Sequence, residues 1–81
     1  MNLQDEMVKR IKAAMPDAEV RLKDLAGGDH WQATIVSSSF EGLMRVDRQR
    51  AVYAALGELM HGPIHALTFQ ALTPAQAAEQ G

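Results

Sequence analysis

The chain has 81 residues, 47% of them hydrophobic and 22% charged, with a formal net charge of -2 and no cysteine. That length fits one core, buries about 60–65% of the surface the unfolded chain exposes, and leaves no room for a second domain. The lack of cysteine excludes disulfides, thiolate nucleophiles and a self-contained iron–sulfur or zinc-thiolate site, and the slight acidity argues against a generally basic nucleic-acid binder.

From the start of the chain, Leu3, Met7 and Ile11 recur four apart and Met15 continues the row, while Gln4, Glu6, Lys9, Arg10 and Lys12 are polar. This is the period of an amphipathic helix. Asn2 is its expected N-cap, Asp5 and Glu6 suit the positive end of the helix dipole, and Pro16 stops the helix at Met15. The same acidic residues stand where a signal peptide carries basic ones, and no apolar run approaches the roughly 20 residues that span a bilayer. A cytoplasmic protein with no membrane segment is expected.

The period then changes to two. Val20 and Leu22 alternate with Glu19, Arg21 and Lys23, a half-buried strand. Ala26-Gly27-Gly28-Asp29 is a turn, since adjacent glycines permit the positive φ values of tight hairpins. A second strand follows, with Trp31, Ala33 and Ile35 on one face and His30, Gln32, Thr34 and Val36 on the other. The short connection makes the pair antiparallel.

Ser37 to Gly42 is too polar to extend the strand; a serine there can cap a short helical turn from which Phe40 plugs the core. From Leu43 to Met60 the helical period returns through Leu43, Val46, Val52, Tyr53, Leu56, Leu59 and Met60, ended by Gly62-Pro63. Met7, Met15, Met44 and Met60 read as core fillers. A last strand runs from His65 to Leu72. Thr73, Pro74 and Gln76 then form a capping box that starts a short, frayed tail helix from Pro74 to about Glu79. Because the crossover between the second and third strands contains the long helix, those strands should be parallel and the connection right-handed. The predicted fold is α+β, one domain over residues 1–81, an αββααβ sandwich with a three-stranded mixed sheet and helices on one face.

Two histidines head strands. His65 opens the last strand after Pro63 and Ile64, and His30 opens the second after the glycine turn. At a sheet's rim an imidazole can keep one nitrogen open to a metal or a partner, although the same residue also serves as a solvated surface group or a local hydrogen-bonder. In a chain without cysteine, two such imidazoles point to metal chemistry completed by another molecule. His61, near a helix C-terminus, reads as a favourable charge there and is left out of the site. Arg45, Arg48 and Arg50, with Asp47 among them, give a local excess of positive charge, readable as a nucleic-acid or partner face or as a solvated helix surface. Lys9, Arg10 and Lys12 read the same way. Ser37, Ser38 and Ser39 have no accompanying base and orienter, and no G-x-S-x-G elbow is present, so a hydrolase is not expected.

Val36-Ser37-Ser38-Ser39-Phe40-Glu41-Gly42, Arg48-Gln49-Arg50-Ala51-Val52-Tyr53, Ile64-His65-Ala66-Leu67 and Leu72-Thr73-Pro74, in this order and spacing, resemble the signature of the BolA family. The resemblance runs from the first helix to Pro74. It implies a fold like the class II KH domain, in agreement with the element order. It also implies a non-enzymatic partner of monothiol glutaredoxins in iron–sulfur cluster assembly, trafficking or iron homeostasis. In the family's shared 2Fe–2S site the glutaredoxin and glutathione supply thiolates and the BolA-like protein a strand-opening histidine, here His65. The second ligand lies just before the aromatic of the second strand, here His30 before Trp31. The isolated chain, as the resemblance implies, holds no cofactor and is a monomer or weak homodimer. Some bacterial members are DNA-binding regulators of stress response and cell morphology; that alternative would use Arg45, Arg48 and Arg50. Many members carry Arg-His-Arg where this chain has Arg48-Gln49-Arg50, a departure that resembles the acid-stress branch. Many also place an acidic residue and Trp after Thr-Pro, where this chain has Gln76 and Ala77.

Overall fold

A computed structural model describes residues 2–28, 30–64 and 66–80. Helix α1 (Leu3–Ala14) starts where the Asn2 side chain accepts the Asp5 N–H at 2.8 Å, and ends before Pro16. Strands β1 (Glu19–Ala26) and β2 (His30–Val36) form the antiparallel hairpin, with a bulge between Asp24 and Ala26. A 3₁₀ turn, Ser38–Phe40, leads to helix α2 (Arg45–Leu56); a second 3₁₀ turn, Gly57–His61, leads to strand β3 (Ala66–Leu72), and helix α3 (Pro74–Gln80) follows.

The sheet order is β1-β2-β3, with β2 and β3 parallel in an uninterrupted register from His30↔Ala66 to Val36↔Leu72. This is the mixed sheet that the α2 crossover requires. Alternation puts Trp31, Ala33 and Ile35 on the core face, as expected for a half-buried strand, against Met7, Ile11 and Met15 of the first helical segment and Val52 and Leu56 of α2. Phe40 is fully buried and closes the core from its 3₁₀ turn. The short α3 turns toward the opposite face, where Ala77 and Gln80 border a shallow cleft with Val36 and Leu72.

Two expectations change. The long helix does not run from Leu43 to Met60: its α-helical part begins at Arg45 and stops at Gly57, whose φ of 55° is open to glycine and strained for other residues. Winding continues as a 3₁₀ turn to His61, so Gly62 closes the segment and the apolar period carries across a break in helix type. Nor are all the apolar side chains of this stretch core residues. Val46 is 54% exposed, Tyr53 42% and Met44 75%; Met44 is the N-cap, with its side chain outside the core that Met7 and Met15 fill. Arg10 ties the two long helices together: its guanidinium donates to Glu6 at 3.0 Å, to the Leu56 carbonyl at 3.3 Å and to Glu58 at 3.5 Å. It thereby satisfies one of the carbonyls left open at the end of α2.

Candidate functional site

His30 is the first residue of β2 and is half-buried. The turn before it is held in place. Gly27 and Gly28 have φ of 68° and 87°, the Gly28 N–H donates to Asp24 Oδ1 at 3.0 Å, and the buried Trp31 indole N–H donates to the Gly28 carbonyl at 3.1 Å. Bonds with Asp24 and with Trp31 thus both hold Gly28, two residues before His30. In the register its partner on β3 is Ala66, the residue after His65 in the chain. The heads of β2 and β3 thus lie side by side at one end of the sheet. His65 itself lies outside the described residues, and the geometry of this end stops at Ala66.

His30 brings an imidazole to this end of the sheet. Among the described residues, no three His, Cys, Asp or Glu side chains come together as a metal-holding group. The chain has no cysteine, so thiolate ligands to any iron here must belong to another molecule.

The arginines of α2 separate into different roles. Arg48 is half-buried and turned into the fold: Nε donates to the Leu43 carbonyl at 3.0 Å, and Nη1 donates to the Ala71 carbonyl at 3.0 Å and to Gln76 Oε1 at 2.7 Å. Its guanidinium carbon also stands 6.0 Å from the centroid of the Phe40 ring. Gln76 in turn accepts the Thr73 N–H at 3.0 Å and donates its own N–H to Thr73 Oγ1 at 3.2 Å, which completes the capping box of α3. Arg48 therefore joins the start of α2, the end of β3 and the start of α3. Arg50 is exposed and lies 3.6 Å from Asp47, an i,i+3 pair on the helix surface. Arg45 is exposed in the first turn of α2. The three do not form one face.

A further polar cluster carried no motif. Asp17 accepts the Ser37 hydroxyl at 2.6 Å and the Ser38 N–H at 2.8 Å, and Ser37 Oγ accepts the Ser39 N–H at 3.0 Å. Ser37 is buried. The Ser37 hydroxyl first, and then Ser38, hold the Asp17 carboxyl down from its ordinary 3.8 to about 2. This cluster pins the end of β2 and the Phe40 turn to the loop after α1. The readable signal was a serine cap before Phe40; its acidic partner is 20 residues upstream and only the fold brings it near.

No helix among the described residues is long and apolar enough to cross a membrane. A family model described as BolA-like protein matches residues 14–76. Human BolA-like protein 1 is 40% identical over 78 residues, covering 86% of this chain and 57% of that protein. The chain thus spans a little over half the length of that curated relative. Acid stress protein IbaG of Escherichia coli K12 is 40% identical over 52 residues, 63% of this chain and 62% of that protein. Among solved structures, BolA1 from Arabidopsis thaliana superposes with a TM-score of 0.85 at 30% identity, covering 94% of this chain and 96% of that one. A family match over most of the chain, on the same mixed sheet and helix order, settles the kinship: the chain belongs to the BolA-like family.

Proposed function

We propose that this protein is a non-enzymatic adaptor that pairs with a monothiol glutaredoxin and lends imidazole nitrogen, from His65 and from His30, to a 2Fe–2S cluster bridging the two proteins. The observation that carries the reading is the parallel register. It sets His30 beside Ala66, so the two strand heads that carry histidine in the sequence meet at one end of the sheet. Family membership and the lack of cysteine support it, since the sulfur donors then come from the glutaredoxin and glutathione. When bound, the cluster supplies the electron-transfer and delivery chemistry. The chain's own part is to present nitrogen from a rigid end. The Asp24–Gly28–Trp31 bonds fix the turn behind His30 and limit the entropy lost when a partner docks. Imidazole is a neutral donor that must be unprotonated to bind, so ligation through it is weaker than through thiolate, sensitive to pH and suited to passing a cluster onward.

The test is to add the protein to a glutaredoxin already carrying its cluster and record visible circular dichroism alongside size-exclusion chromatography. The adaptor role predicts a one-to-one complex and a new spectrum with wild type, with the spectral change lost in His65→Ala and weakened in His30→Ala. An unchanged spectrum with wild type, or the same change with both variants, removes the ligand role. A stable apo complex with no spectral change would leave a docking module only.

A further inference from the structure

The two outer edges of the sheet are built differently. The β1 edge carries Glu19, Arg21, Lys23 and Asp24 and ends in the bulge at Asp24 and Ala26. Charges and bulges of this kind are how sheets discourage further pairing. The β3 edge has neither: Ala66-Leu67-Thr68-Phe69-Gln70-Ala71-Leu72 contains no charge and no proline, and its register is unbroken.

The outward groups of that edge can be assigned. Ser37 N–H donates to the Leu72 carbonyl at 3.0 Å, so Leu72, and by alternation Gln70, Thr68 and Ala66, turn their main-chain groups toward β2. Leu67, Phe69 and Ala71 turn theirs outward, as the bond from Arg48 to the Ala71 carbonyl confirms. Among the described residues, the outward N–H and C=O groups of Leu67 and Phe69 meet no hydrogen-bond partner. Beside this edge runs a cleft of about 550 Å³ between β3 and α2, walled by Met44, Arg45, Arg48, Gln49 and Phe69 and closed at one end by Gln76. Exposed Met44, together with Phe69, gives the cleft apolar surface, and Tyr53 packs edge-on against Phe69 at 5.6 Å. Two guanidinium groups line it and no carboxylate does, in a chain whose net charge is -2.

From this combination we infer that the β3 edge is a docking site for an extended, acidic peptide segment of a partner protein, which adds to the sheet as a fourth strand. Main-chain bonds to Leu67 and Phe69 supply the pairing. Apolar side chains of the segment cover Met44 and Phe69, and a carboxylate meets Arg45, whose side chain makes no hydrogen bond or ion pair among the described residues. The site begins at Leu67, next to Ala66, and at about 3.3 Å per residue reaches Phe69 about 10 Å along β3; its pairing uses main-chain groups and its acidic contact Arg45, so it calls on neither histidine side chain.

The experiment is a ¹⁵N NMR titration of the 81-residue chain with two capped peptides, Thr-Val-Thr-Glu-Thr-Val-Thr, whose valines and glutamate share one face of a strand, and its lysine counterpart Thr-Val-Thr-Lys-Thr-Val-Thr. The glutamate peptide should shift the Leu67 and Phe69 amides and slow their hydrogen exchange at about tenfold lower concentration than the lysine peptide. Arg45→Glu, an exposed change in the first turn of a helix where acid is favoured, should fold normally and reverse that order. Any one of the following titration results overturns the inference. These are no shift with either peptide at millimolar concentration, shifts confined to β1, the same order in Arg45→Glu, or a heptanucleotide of deoxythymidine shifting Leu67 and Phe69 at lower concentration than the glutamate peptide. Broadening of those amides on raising protein concentration without peptide would assign the edge to a second copy of the chain, and would equally overturn it.

Discussion

Truncating Arg48 separates a structural clamp from a binding residue. The side chain makes three charge-assisted hydrogen bonds, to Leu43, Ala71 and Gln76, and stands over Phe40. Fully buried bonds to a charged group contribute about 1.5–3 kcal/mol each. Arg48 is half-buried and water can reach the released carbonyls, so about 1 kcal/mol apiece is the better figure, with about 0.5 kcal/mol more from the aromatic contact. Arg48→Ala should therefore destabilise by about 3.5 kcal/mol, a large share of the roughly 4–12 kcal/mol expected for a domain of this size. At a urea m-value of about 1 kcal/mol/M the unfolding midpoint falls by about 3.5 M. Arg48→Lys keeps the charge but lacks the planar fork that serves several acceptors, so it should recover no more than about 1 kcal/mol. Arg50→Ala is the control and should stay within about 0.5 kcal/mol of wild type, because its pair with Asp47 is exposed. If Arg48→Ala unfolds within 0.5 kcal/mol of wild type by equilibrium urea denaturation, or if Arg48→Lys matches wild type, the clamp account is wrong and Arg48 returns to the surface group with Arg45 and Arg50.

Two further outcomes follow from the fold. The Asp17 carboxyl is held at about 2 in the folded state against an ordinary 3.8, so the contribution of its charged form is complete above about pH 4 and is lost as pH falls toward 2. Melting temperature should therefore fall more steeply between pH 4 and 2 for wild type than for Asp17→Asn, and parallel profiles would contradict the assignment. Gly57→Ala should destabilise by about 1–3 kcal/mol through backbone strain alone, because a Cβ there meets only Arg10 Nη1 at an ordinary 3.6 Å while φ is +55°; a neutral result by thermal denaturation would mean that the helix end relaxes freely.

Much of this architecture is legible in the residues because local signals agree with the global arrangement. The four-residue spacing of Leu3, Met7 and Ile11, the switch to alternation at Val20, the paired glycines and the Thr73/Gln76 box each fix an element, and the helix between the second and third strands dictates their parallel pairing. The errors come from contacts far apart in sequence. Met44 and Val46 continue an apolar period but fall outside the surface that α2 turns to the sheet. Gly57 offered a helix stop, masked by Leu59 and Met60 beyond it. Arg48 looks like one of three similar cations until the register brings the Ala71 carbonyl within its reach. Of the two strand-head candidates the sequence singles out, the structure describes His30 and sets it beside Ala66, while His65 lies outside the described residues.

The most direct measurement of the proposed role is hyperfine spectroscopy of the reduced mixed complex, with ¹⁵N-histidine incorporated into this chain and not into the glutaredoxin. Ligation from the strand heads predicts strong ¹⁵N coupling to the cluster's unpaired electron, diminished in His65→Ala, altered in His30→Ala and absent when both are replaced. A complex that forms and reduces normally yet shows no ¹⁵N coupling from this chain would contradict it.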